Sequence, residues 1–441
     1  MIRHTLLTVL AAAGLALAAS APAFAAQPYP LNYKTFDLSA TSSSGTGTTF
    51  SDGSLRIGSS DTGSLPNYVD SFANYSNDNV NGSGAYISGT WTSGVTQLSF
   101  GFNELVASWN AVTPPKTWVQ VEVQPQLDDG HWAKWYILGQ WSSDDSSFHR
   151  TSIGGQGNAD GFVSIDTWFA KDHPAIAYRL QATLYRKVGA TTDGPTLSRL
   201  SAVASNLTNQ KGSFPSKTTL TGPTGPDLDV PTYSQEIHHG DFPQYDNGGE
   251  AWCSPTSTAM VVAYWSQYSV THSYTDYRPT STDYAWVTKA LPSPPHQDPW
   301  VDYTARAVYD YHYNGAGNWP FNAAYAASRG LVADVTQLHN LAEAEPFIEA
   351  GIPLVASVAW NSNKLEGAIK STNGHLLVIR GFSADGSKVI VNDPASLDDS
   401  VVKHFYDREQ FERAWIPASG GIVYLIRPVG WTTPSLTGNN S

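Results

Sequence analysis

Through the first half of the chain apolar and polar residues alternate in short runs, and in the second half they switch to helical spacing followed by continuous apolar runs. The clearest alternating run is Trp118-Val119-Gln120-Val121-Glu122-Val123-Gln124, whose three valines share one face of a strand. Tyr178, Leu180, Ala182 and Leu184 repeat the pattern, and Asp128-Asp129-Gly130 and Thr192-Asp193-Gly194-Pro195 carry the residues tight turns require. Several such strands without helical periodicity predict an all-β sandwich over residues 27–207, preferred to a small barrel. Seven tryptophans (Trp91, Trp109, Trp118, Trp132, Trp135, Trp141 and Trp168) crowd this region. Filling the core is the expected role for most of them, because indoles dominate burial; exposed ones would suit stacking on sugars or peptides.

Residues 208–227, with Thr221-Gly222-Pro223-Thr224-Gly225-Pro226, have no hydrophobic period and read as an interdomain linker. Beyond it, apolar residues recur at helical spacing near 255–267 and 336–350, and apolar strands are expected near 353–360, 375–382, 388–392 and 421–427. Helices followed by strands predict an α+β domain over 228–430, with 431–441 as a loose tail. The fold class is therefore multidomain: an amino-terminal β-sandwich followed by an α+β domain.

The first 25 residues change the expected compartment. A basic start, an apolar stretch from Leu6 to Ala19 and Ala23-Phe24-Ala25 form an export signal, so the mature protein is expected to be secreted, extracellular or periplasmic. No later segment reaches the roughly 18 uninterrupted apolar residues of a spanning helix. A net charge of -13 with 25 Lys and Arg and no basic cluster argues against a nucleic-acid partner. The chain has a single cysteine, Cys253, so no intramolecular disulfide can form. Left unused, that thiol is a liability in an oxidising medium, which brings chemistry into consideration beside simple burial.

Cys253 follows Gly248-Gly249-Glu250-Ala251-Trp252 and precedes Ser254-Pro255 and an apolar helix, which places the sulfur at a helix amino terminus. Orphan N–H groups and the positive dipole end favour a thiolate there and can steady an oxyanion. A proton donor for the leaving amine is then needed, and His375, at the start of Gly374-His375-Leu376-Leu377-Val378-Ile379, is the best placed of the twelve histidines. The turn Ser383-Ala384-Asp385-Gly386-Ser387 joins this strand to Lys388-Val389-Ile390-Val391-Asn392-Asp393-Pro394, an antiparallel hairpin. Counted outward from the turn, Asp393 falls within a residue or two of His375 across the ladder and can orient the imidazole. Asn392 could do the same, but alternation sends it to the opposite face, so Asp393 is taken as the orienting group.

The helix-opening cysteine, the later Gly-His before an apolar strand and the final Val-Asn-Asp-Pro together resemble the C39-like peptidases of the papain-like clan, over about residues 228–430. The resemblance implies a secreted cysteine peptidase that uses a Cys-His-Asp triad on peptide or protein substrates, with no cofactor. It also implies a glutamine donating to the oxyanion. Gln235, ending Val230-Pro231-Thr232-Tyr233-Ser234-Gln235, inherits that role, with Gln244 as a rival nine residues before the cysteine. Ser254 departs from the glycine that many relatives carry. The double-glycine leader peptides cut by transporter-fused relatives are not carried over as substrate, because no transporter helices or nucleotide-binding loop accompany the domain. Two other readings share these residues: a cell-wall amidase or acyl transferase, and a non-catalytic binder of glycan or peptide through the first domain. A metal site from His238, His239, Asp241 and perhaps His375 is not expected, because adjacent histidines point apart and no HExxH-like spacing occurs.

Overall fold

The computed structural model describes residues 29–40, 47–58, 67–68, 86–190, 193–208, 214–272, 275–292, 296–362 and 364–436. The export signal expected over residues 1–25 lies outside them. Among the described residues no helix is long and apolar enough to cross a membrane.

The amino-terminal region is sheet-rich. A seven-stranded antiparallel sheet runs in the order Gly161–Ser164, Thr167–Ala170, Glu104–Val112, Thr196–Ser205, Ser54–Ile57 and Thr48–Ser51, with Leu31–Thr35 also paired to Thr196–Ser205. A six-stranded antiparallel sheet is built around Ala175–Lys187 and Thr117–Leu127. Val119, Val121 and Val123 lie buried in the latter strand, as the alternation requires. Rings from the two sheets meet: Trp168 of the first lies 5.8 Å from Phe102 and 6.2 Å from Tyr136 of the second. Trp91, Trp109, Trp118, Trp141 and Trp168 are buried. Trp132 and Trp135 are half-buried, and the Arg179 guanidinium sits over both rings, at 5.1 and 5.2 Å. Neither indole therefore presents a free platform on that side.

The second region is α+β. Its antiparallel sheet has the order Val332–Gln337, Ile422–Arg427, Leu354–Trp360, Thr372–Phe382, Lys388–Asn392 and Lys403–Asp407. The long helix Cys253–His272 packs on Thr372–Phe382. It is buried almost all round from Ser254 to Trp265, so a hydrophobic stripe could not have marked its faces. The expected apolar strands are present. The segment 336–350 divides, its first residues ending the strand Val332–Gln337 and the rest forming the helix Leu341–Glu349, whose amino terminus is capped by Asn340.

The segment read as a linker and the described part of the segment read as a loose tail are both held by contacts. In the expected linker, Thr219 N donates to Glu345 (2.7 Å), Ser216 N to Glu412 (2.7 Å), and Phe382 N donates back to Pro226 O (2.9 Å). Buried carboxylates at Glu345 and Glu412 need donors, and this strap supplies them alongside Arg408, 2.7 Å from Glu345. The expected loose tail 431–441 is corrected over its described part. Trp431 packs 4.9 Å from Trp265 and 5.1 Å from Tyr268, and its indole N–H donates to Ala350 O at 3.0 Å. An indole that finds apolar rings and an acceptor stays docked.

The two regions share one hydrophobic core. Trp109 and Trp141 of the first region lie 6.2 and 5.4 Å from Phe321 in the helix Trp319–Ser328. Asn110 donates to Ala333 O (2.6 Å) and accepts from Ala333 N (3.1 Å), and Asp334 ion-pairs with Arg199 of the first region (2.6 Å) and Arg427 of the second (3.0 Å).

Candidate active site

Gly248 and Gly249 explain how the chain reaches Cys253. Gly248 has φ +92°, a conformation L side chains rarely adopt, and a Cβ there would lie 2.7 Å from Asp241 O. A Cβ on Gly249 would collide with the backbone of Gln235 and His238. The short turn Gly249–Ala251 therefore lies directly against the turn that carries Gln235, and the helix opens at Cys253. Ser257, one turn into that helix, donates to Leu376 O at 3.1 Å and so ties the helix to the strand beside His375. Ser254 turns inward to Tyr424 (2.9 Å) and away from the cleft. Gly249→Ala is expected to push the Gln235 turn outward and to slow thiol alkylation and any hydrolysis by roughly tenfold or more, with little loss of helix content by circular dichroism. Unchanged rates in this variant would show that the close approach does not matter.

His375 is buried, at 3 % exposure, four residues into its strand and opposite Val358. Its Nε2 lies 2.7 Å from Asp393 Oδ1, and it lines the same cleft as Cys253. With Nε2 engaged by the carboxylate, Nδ1 is the ring nitrogen left for the sulfur. Asp393 also accepts from Tyr406 Oη (2.7 Å) and Ala395 N (3.0 Å). Trp360 stands edge-on to the imidazole at 5.9 Å. The ladder between the two strands ends at Val378 opposite Asn392, just short of Asp393. Asn392 faces the other way, donating to Val230 O (3.2 Å) and Pro231 O (2.9 Å) and so fixing the strand-like lead-in to Gln235.

Burial by itself would lower the basicity of His375, but the charge and hydrogen bond of Asp393, with a further contribution from Cys253, raise it well above the ordinary imidazole value. Burial would raise the Asp393 carboxyl, and His375, Tyr406 and the Ala395 amide instead hold it below the usual carboxylate range. The raised His375 contributes stability below the ordinary imidazole pKa of about 6.5, lost as pH rises toward its folded value; the depressed Asp393 contributes above about 4, lost on acidification. A thermal-stability profile against pH should therefore be flatter in Asp393→Asn than in the wild type, both above about 6.5 and below about 4. Parallel profiles would contradict the ion pair.

Cys253, Gln235, Glu236 and His375 line one cleft of about 590 Å³. Gln235 is buried, and its amide donates to Glu250 O (2.8 Å) and Glu236 Oε1 (3.1 Å). Gln244 is exposed and does not line the cleft. The structure thus brings Cys253, His375 and Gln235 to one cleft, with Asp393 behind His375 and bonded to it. Reading the sequence missed Tyr406 and Trp360, and also the far wall of the cleft, which comes from the first region: Ser164, Ile165 and Asp166 at the tip of the hairpin 161–170. A chain order of Tyr406 one strand beyond Asp393 was readable only once the strand pairing was known.

A helix-borne thiol beside a carboxylate-held imidazole, in an α+β domain, is chemistry of the cysteine hydrolase type. Residues 32–205 match the family model of the peptidase C39 N-terminal domain, and residues 227–423 match that of the peptidase C39-like family. The chain belongs to the peptidase C39-like family. Among solved structures, similarity is found to a protein of Bacillus anthracis described as a C39-like peptidase, with 16 % identity, 48 % of this chain and 99 % of that one covered, and a TM-score of 0.25. Xylellain, a cysteine protease from Xylella fastidiosa, matches at 10 % identity over 50 % of this chain and 95 % of its own, with a TM-score of 0.27. No curated protein matches the chain.

Proposed function

We propose that this protein is a secreted cysteine peptidase in which Cys253 is the nucleophile, His375 the proton donor to the leaving amine, Asp393 the group that orients His375, and Gln235 the side-chain donor to the oxyanion. The observation that carries the reading is the 2.7 Å contact from His375 Nε2 to Asp393, on a ring that lines the same cleft as the only thiol of the chain. In the resting site an imidazolium beside the sulfur holds the thiolate as its counter-ion. Attack on an amide carbonyl forms a tetrahedral adduct, and His375 then passes its proton to the departing nitrogen, leaving a thioester that water resolves. One amide hydrogen of Gln235 is held by Glu250 O, which fixes the side chain, and the other, now shared with Glu236, becomes the donor to the oxyanion.

The two sheets of the first region are read as a β-sandwich that serves the cleft. Its hairpin tip supports this: Ile165 adopts φ +58°, a position where a two-residue turn favours glycine and a β-branched residue is strained. Asp166 behind it is buried, accepts from Trp319 N at 2.8 Å, and pins the tip to the start of helix Trp319–Ser328. Burial raises its carboxyl to about 7, against the opposing pull of those hydrogen bonds. The tip thus presents Ile165 opposite the thiol as a contact for a peptide side chain.

The test is digestion of a proteome-derived peptide library by the purified protein. New peptide termini that vanish on alkylation of Cys253 are expected. A library left intact, while a peptidoglycan stem peptide or an acyl-transfer acceptor is turned over, would move the protein to the amidase or transferase reading.

A further inference from the structure

We infer that His238, Asp241, His296 and Asp302 form a site for a tetrahedrally bound divalent cation of the zinc type, separate from the cleft and placed to hold the turn that carries Gln235. His238 Nδ1, His296 Nε2 and one oxygen each of Asp241 and Asp302 all lie within 4.8 Å of one another. The contacts are 3.2 Å from His238 Nδ1 to Asp302 Oδ2, 3.7 Å to Asp241 Oδ2, and 2.8 and 3.5 Å from His296 Nε2 to the same two oxygens. Four ligands at the usual zinc distances of about 2.0–2.1 Å would stand about 3.4 Å apart, a value these contacts bracket.

A second observation points to a ligand. His238 is fully buried, and neither ring nitrogen has a hydrogen-bond partner; the 3.2 Å approach to Asp302 lacks hydrogen-bond alignment. Asp241 Oδ2 and Asp302 Oδ1 are likewise buried without a hydrogen-bond partner, and only the His296–Asp302 contact is a formed hydrogen bond. Buried polar atoms are nearly always satisfied, so the unsatisfied His238 Nδ1 and Asp241 Oδ2, which both approach Asp302 Oδ2 or His296 Nε2, ask for a common partner. Two carboxylates and two imidazoles supply the charge and the donor types that a borderline-soft dication takes. The neighbouring Asp298 adds a further buried oxygen without a partner. His239 takes no part: it is exposed and pairs with Glu250 at 3.0 Å, and His375 belongs to the cleft.

Placement gives the site its consequence. His238 lies in the short helix Glu236–His238 immediately after Gln235, while Asp302 lies in the helix Pro299–Val308. The cation would fasten the Gln235 turn to that helix, in the same turn against which Gly249 packs. It is a positioning device and supplies no step of the reaction.

The test uses the full chain purified without a histidine tag, loaded with Zn²⁺, desalted, and assayed for metal by mass spectrometry. About one equivalent is expected in the wild type and in Cys253→Ser, falling below about a tenth in His296→Ala and Asp302→Asn. Wild-type protein loaded with Co²⁺ should show the visible absorption of a tetrahedral site without thiolate charge-transfer bands, a readout that does not depend on the variants folding. A wild type that retains less than about a tenth of an equivalent, variants that retain as much as the wild type, or a Co²⁺ spectrum with thiolate bands would each overturn the site.

Discussion

Cys253→Ser is expected to lower kcat/KM on any peptide found in the library digestion by at least about 10³-fold, because the thiolate and its proton donor act as a unit. That corresponds to about 4 kcal/mol of transition-state stabilisation. The hydroxyl of serine is too weak an acid to be held as its anion by a neighbouring imidazolium, so the change removes the nucleophile and leaves its space filled. The variant should fold normally, since the sulfur is half-exposed at the cleft and carries little of the core. Because the chain has one thiol, iodoacetamide gives a second reading: the wild type takes a single adduct, and Cys253→Ser takes none. In His375→Ala alkylation should slow markedly near neutral pH, where the imidazolium no longer supports the thiolate. Alkylation at equal rates in His375→Ala and wild type would remove the ion pair from the proposed mechanism.

The largest expected effect on stability is at the boundary between the two regions. Asp334 is fully buried, ion-paired with Arg199 and Arg427, and accepts from Ser201 Oγ at 2.8 Å. Burial would raise its carboxyl, but the two guanidinium groups hold it below the usual range. Asp334→Ala would leave two cations with no counter-charge between strands of different regions. Removing one partner of a buried pair costs about 3–5 kcal/mol, and the partial exposure of Arg199 places the expectation near the lower end. For regions of this size that is a fall of roughly 6–12 °C in Tm. Circular dichroism and differential scanning calorimetry measure it. A loss under about 1 kcal/mol would mean that the apolar contacts of Trp109 and Trp141 with Phe321 hold the regions together without this ion pair.

The same boundary separates what could be read along the chain from what could not. The valine alternation in 118–124 was legible as a period that reports one buried face, and the apolar strands of the second half and the helix following Cys253 were legible as continuous apolar runs bounded by turn residues and by Pro255. The hairpin of His375 and Asp393 was legible for a similar reason: a short turn sets the register, and counting residues places the pair. The helices Pro299–Val308 and Trp319–Ser328 were missed although each carries a proline in its first turn. Trp319–Ser328 is buried from Pro320 to Ala326 and so carries little contrast, whereas Pro299–Val308 is amphipathic and its pattern was there to be read. The anchoring of the linker over 214–227 and of the tail over 431–436 was not legible, because their partners Glu345, Glu412 and Trp265 come from distant parts of the chain.

Local chemistry therefore set the thiol at a helix start, the imidazole on a strand and the carboxylate one turn away, since all three depend on periodicity and register over fewer than about 20 residues. Folding of the whole chain decided the rest: that Ile165 of the first region walls the cleft, and that His238 and Asp241 meet His296 and Asp302. Those meetings join residues far apart in sequence. No period or motif encodes them, because they arise only when separately patterned surfaces are packed into one core.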